Sequence, residues 1–92
     1  MLAGNSKSYF LEGVEKKGLC VDSNGKDQTK RQHKIGTVYS KEQCWDMCKQ
    51  NYQAKGCEYY YDRDCYVHFE DVANGNGKDH YSCLVLKKKA GK

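Results

Sequence analysis

The chain has 92 residues, of which 38% are hydrophobic and 30% are charged, and its formal net charge at pH 7 is +4. A chain of this length forms one domain and buries only about 60–65% of the surface that it exposes when unfolded, so apolar burial alone leaves folding close to break-even. No stretch approaches the ~18 apolar residues of a membrane-spanning helix, so we expect no membrane insertion. We expect a single domain over residues 1–92, with its core at about 9–87 and flexible ends at 1–8 and 88–92.

Six cysteines supplement this small core. An even number of cysteines in a short chain is typical of a disulfide framework in a secreted domain, whereas in a cytosolic protein the thiols would bind metal or act in catalysis. We expect the oxidised, extracellular form. The first residues contain no apolar segment of signal-peptide length, so a signal peptide would have been removed.

The part of the chain before the helix is predicted to contain short strands and one long loop. Tyr9–Leu11 and Leu19–Val21 are strand candidates, Asp22–His33 resembles a loop, and Lys34–Tyr39 is a possible further strand. Cations are clustered in this region, at Lys26, Lys30, Arg31 and Lys34. Such a cluster favours an anionic partner, such as a sulfated glycan, an acidic lipid or nucleic acid, or else it is a solvated surface.

The clearest local signal is a helix start. Ser40-Lys41-Glu42-Gln43 is a capping box, in which the Ser40 hydroxyl accepts from the Gln43 amide and the Gln43 side chain returns to Ser40. The helix is predicted to run from about Lys41 to Asn51. Cys44 and Cys48 are four residues apart and therefore lie on one face of it.

Two aromatic strands follow, at Cys57–Tyr61 and Cys65–Phe69, joined by a turn of hairpin length. Side chains alternate between the faces of a strand, so both cysteines and the residues in step with them share one face. If those cysteines bond to the helix, that face is the core. The opposite face then carries four side chains, which either contact a ligand or pack under a loop: Glu58, Tyr60, Tyr66 and His68.

The end of the chain is predicted to form a loop and a last strand. The segment Glu70–His80 contains two Asn-Gly pairs, which are typical of turns. Tyr81–Leu86 is the strand candidate. It leads into a basic end that contains Lys87, Lys88, Lys89 and Lys92.

Six cysteines allow fifteen pairings. The order of helix and hairpin favours a nested arrangement, because Cys48 is close in sequence to Cys57, while Cys44 lies one turn earlier, level with a more distant point of the sheet. The hypothesis is therefore Cys48–Cys57 and Cys44–Cys65, which leaves Cys20–Cys83 to join the ends.

A helix that carries Cys-x3-Cys, followed by a Cys-led aromatic strand and a hairpin cysteine, resembles the PAN/apple domain superfamily. The specific part of the resemblance is Ser40–Cys48 followed by Gly56–Tyr59, and its full extent is about Gly18–Leu86. The resemblance implies an α+β fold with a small antiparallel β-sheet and a single α-helix packed across it. It also implies the same nested inner disulfides, and Cys20 with Cys83 matches the additional bridge of apple domains.

Catalysis and metal binding find little support in the sequence. No nucleophile motif, phosphate-binding loop or metal dyad accompanies the acidic residues and histidines. Cys44 and Cys48 could supply zinc ligands together with His68 or His80, but a Cys-x2-Cys knuckle is missing and six cysteines pair without remainder. We expect no enzyme activity, cofactor or metal.

PAN/apple domains are adhesion modules, so the resemblance implies a recognition module that binds carbohydrate, including heparin-like glycans, or an extracellular protein. The alternatives are a secreted effector, such as a toxin-like peptide or protease inhibitor, and a structural module of a larger adhesive protein. We expect a monomer and no nucleic acid partner. The candidate ligand-binding residues are Lys26, Lys30, Arg31, Lys34, Tyr60, Tyr66 and His68.

Overall fold

A computed structural model describes residues 9–27 and 32–90. These residues form one helix, a five-stranded antiparallel sheet in the order β1-β7-β4-β5-β3, and a two-stranded sheet of β2 and β6. The α+β class and the single helix across an antiparallel sheet are thus confirmed. The elements are β1 (Tyr9–Lys17), β2 (Cys20–Val21), β3 (Gln32–Thr37), α1 (Lys41–Lys49), β4 (Gly56–Tyr60), β5 (Asp64–His68), β6 (Asn74–Gly75) and β7 (Tyr81–Ala90).

The helix begins where the capping box predicts. The Ser40 Oγ atom accepts from the Gln43 amide at 3.1 Å. The return bond differs by one residue, because the Gln43 Oε1 atom accepts from the amide of Tyr39 at 2.6 Å and not from that of Ser40. The helix ends at Lys49, two residues before the predicted Asn51.

The face of the large sheet towards α1, here called the inner face, holds the main core. Cys57 on β4, Val67 on β5 and Leu84 on β7 are buried together there. The Cys48–Cys57 and Cys44–Cys65 disulfides tie the helix to this face, as the nested pairing predicts.

The opposite face, here called the outer face, is covered over part of its length. The Cys20–Cys83 disulfide fixes the small sheet of β2 and β6 above it, and Val72 and Val85 pack against this disulfide. Gly56 allows the close approach, because a Cβ atom at this position would lie 3.0 Å from a methyl carbon of Val72. Residues 9–27 and 32–90 leave the other end of the outer face, where β7 begins, without a covering element.

The strands differ in extent from the sequence expectation. The two central strands end one residue earlier than predicted, at Tyr60 and His68, and the turn between them places Arg63 in the left-handed region at φ 73°. β1 extends to Lys17 and β7 extends to Ala90, because these two strands pair with each other over nine residues. The lysines at 87–89 therefore belong to a strand.

Candidate ligand-binding face

Three half-buried tyrosines, Tyr60, Tyr66 and Tyr81, lie at the uncovered end of the outer face and are called the tyrosine platform below. Tyr60 lies opposite Tyr81 on the neighbouring strand, and Tyr66 lies opposite Glu58. Directly opposed residues share a face of the sheet, so all three tyrosines are on the outer side. The rings of Tyr60 and Tyr81 stack, with their centroids 4.7 Å apart and their planes at 23°.

Charged side chains surround the platform. Lys34 lies opposite Tyr66, and its Nζ atom is 3.2 Å from the Asp64 Oδ1 atom. The Nζ atom of Lys78 lies 5.6 Å from the centroid of the Tyr81 ring, within the range of a cation–π interaction. The platform therefore offers an aromatic surface with ammonium and carboxylate groups at its rim.

Partial burial raises the pKa of Tyr66 above 10.0, and the carboxylate of Asp64 raises it further. The phenol therefore stays protonated at neutral pH, and its hydroxyl can both donate and accept a hydrogen bond.

Alkaline titration tests this environment. When the pH rises past 10.0, an unfolded chain loses the Tyr66 proton before the folded chain does, so the Tyr66 contribution favours folding below that pH and is lost as the pH rises through the raised pKa. We expect the absorbance difference between the wild type and Tyr66→Phe to show a tyrosinate whose titration midpoint lies above pH 10.0. A midpoint at or below this pH would contradict the described packing.

His68 is on the outer side of the sheet, as predicted, but it is not accessible there. Its side chain points to the outer side, but it is 0% exposed because β2 and the Cys20–Cys83 disulfide cover it. The His68 Nε2 atom is 3.2 Å from the Glu58 Oε1 atom, which also accepts from the amide of Cys20 at 3.0 Å. The prediction of His68 as an accessible ligand-binding residue is therefore wrong, and it forms a buried polar pair with Glu58.

The basic loop is only partly described. Lys26 is exposed in the turn after β2, whereas Lys30 and Arg31 lie outside the described residues. Of the predicted binding residues, the structure brings together Lys34, Tyr60 and Tyr66.

Sequence reasoning missed Tyr81, Lys78 and Asp64 as neighbours of these residues. Two signals were available for Tyr81. It begins the last predicted strand, and it is two residues from Cys83, which places both side chains on one face of that strand.

One group of potential metal ligands occurs within the described residues. A sulfur, a carboxylate oxygen and a ring nitrogen, from Cys20, Glu58 and His68, all lie within 4.8 Å of one another. The sulfur of Cys20 is bonded to that of Cys83, so it is not a thiolate. The sulfurs of Cys44 and Cys48, which sequence analysis considered as zinc ligands, are also in disulfides.

No helix in the described parts of the chain is long and apolar enough to cross a membrane. Comparisons with protein-family models, curated proteins and solved structures gave no match to this chain.

Proposed function

We propose that the protein is an extracellular, non-catalytic recognition module of the PAN/apple type that binds carbohydrate on the tyrosine platform. The observation that carries this proposal is the stacked pair of Tyr60 and Tyr81 beside Tyr66, on the part of the sheet that no other described element covers. Three disulfides and the absence of free cysteines among the described residues are compatible with an extracellular protein.

The arrangement of helix and disulfides supports the proposed family. The helix lies across an antiparallel sheet, two nested bridges join it to β4 and β5, and Cys20–Cys83 joins distant parts of the chain. These are the features that the resemblance to PAN/apple domains implies.

The chemistry of the platform fits a sugar ring. Aromatic rings have an electronegative face, which attracts the polarised C–H groups of a pyranose, and the tyrosine hydroxyls supply hydrogen bonds at the edge of the ring. Asp64 offsets the charge of Lys34, whereas Lys78 stands over Tyr81 and is exposed. A neutral sugar, or one with a single acidic substituent towards Lys78, therefore suits this platform better than a densely sulfated chain.

A glycan-array screen followed by calorimetry with the best oligosaccharide tests the proposal. We expect Tyr60→Ala or Tyr81→Ala to weaken binding about tenfold or more, because each substitution removes half of the stacked pair. Tyr39→Ala is the matched control, since Tyr39 is 85% exposed and lies before the helix rather than on the platform. An equal loss in all three variants, or no binding to any glycan, would rule out the platform as a carbohydrate site.

A further inference from the structure

A second feature lies at the opposite end of the large sheet, where β7 extends past β4. β4 begins at Gly56, opposite Val85, whereas β7 continues to Ala90 and pairs there only with β1. Within the described residues, the last backbone hydrogen bond on the β4 side is donated by the Leu86 amide to the carbonyl of Lys55, at 3.1 Å. Beyond this bond, the β4 side of β7 is a free strand edge within the described residues.

The polar backbone groups at this free edge follow from strand geometry. Successive residues of a strand direct their N–H and C=O groups to alternate sides. Since the amide of Leu86 points to the β4 side, the amide and the carbonyl of Lys88 do so as well. Those of Lys87 point the other way, towards Glu12 on β1.

A cleft of about 820 Å³ lies along this free edge. Its apolar lining includes Phe69, Val72 and Leu86, and three lysines surround it: Lys55, Lys87 and Lys88. Asp71 is the one carboxylate among the lining residues of the described chain. Charge complementarity therefore favours an acidic ligand.

We propose that this cleft, here called the β7 cleft, binds an acidic peptide in the extended conformation, which adds as a strand to the free edge of β7. A peptide backbone can pair with the amide and carbonyl of Lys88, whereas a sulfated glycan has no matching row of donors and acceptors. Lysines on an edge strand repel a second copy of the same edge, so they disfavour self-association and select for a strand of opposite charge. The β7 cleft is a site separate from the tyrosine platform, which lies at the first residue of β7.

Fluorescence anisotropy with a labelled octapeptide of alternating Glu and Thr tests this site at low ionic strength. We expect saturable binding, and we expect Lys87→Gln with Lys88→Gln to weaken it about tenfold, since both cations line the cleft. The matched control is Lys16→Gln with Lys17→Gln, which makes the same change in net charge at the far end of β1 and is expected to leave the affinity nearly unchanged.

Backbone pairing is tested separately from charge. Hydrogen exchange of the Lys88 amide should slow when the peptide binds, while the Lys87 amide should change little, because it already faces β1. The same octapeptide with N-methyl groups at alternate residues should not bind. Equal binding of the N-methylated peptide, an unchanged Lys88 amide, or binding of a heparin oligosaccharide but not of the peptide would each overturn the proposal.

Discussion

Replacing both Cys20 and Cys83 with alanine should lower the free energy of unfolding by about 4 kcal/mol, because this disulfide closes a loop with a sequence separation of 63 residues. Small domains are stable by only about 5–15 kcal/mol, so the variant should lose between about a quarter and four-fifths of its stability. Urea unfolding followed by circular dichroism measures the difference.

Replacing Cys48 and Cys57 with alanine provides the matched comparison. Their sequence separation is only 9, so the same loop-entropy estimate gives a loss of about 3 kcal/mol. Both pairs are fully buried, which makes the packing cost of the substitutions similar. If the Cys48–Cys57 variant proves the less stable of the two, closure of the long loop is not what the Cys20–Cys83 bridge contributes.

The helix and its two disulfides were predictable because their signals are local. The capping box at Ser40 fixes the start of α1, and the spacing of Cys44 and Cys48 puts both sulfurs on one helix face. The following hairpin then offers one cysteine on each strand. Each step depends on residues that are close in sequence, so the local sequence pattern is enough to predict the helix and these two disulfides.

The small sheet of β2 and β6 that covers part of the outer face could not be predicted from local signals. Alternation correctly separates the side chains of Glu58 and His68 from the helix side, but it does not say what packs on the other side. The cover depends on the pairing of Cys20 with Gly75, which joins two strands of two residues each. Strands this short have no hydrophobic periodicity, and the Cys20–Cys83 disulfide indicates only that β2 lies against β7, not that it pairs with β6.

The candidate site shows the same division between local and distant information. Tyr60 and Tyr66 could be assigned to one face from the hairpin alone, whereas the stacking of Tyr60 on Tyr81 requires β7 to pair with β4. The two strands are separated in the chain by β5, by β6 and by the connecting loops, and the register across such a distance is not encoded in any short segment of the sequence.

A second large loss of stability is expected at the buried pair of Glu58 and His68 beneath the small sheet. Glu58→Ala should lower the free energy of unfolding by about 3 kcal/mol, because it leaves the Cys20 amide and the His68 ring without their buried partner. Glu58→Gln should cost about 1 kcal/mol, since its amide oxygen can still accept both hydrogen bonds. Glu42→Ala, at an exposed position in the first turn of α1, is the control and should change stability by about 0.5 kcal/mol or less.

Glu58→Ala made in a variant without the Cys20–Cys83 disulfide tests whether this bridge is what keeps Glu58 and His68 buried. When the small sheet is no longer fixed by Cys20, water can reach Glu58 and His68, and the cost of an unpaired polar group falls. We therefore expect Glu58→Ala to cost less in the Cys20→Ala, Cys83→Ala background than in the wild type, so the two losses are not additive. Full additivity in urea unfolding would show that the disulfide is not what keeps this pair buried. A coupled loss would mean that one long-range bridge determines both how much of the outer face is covered and where the open tyrosine platform begins.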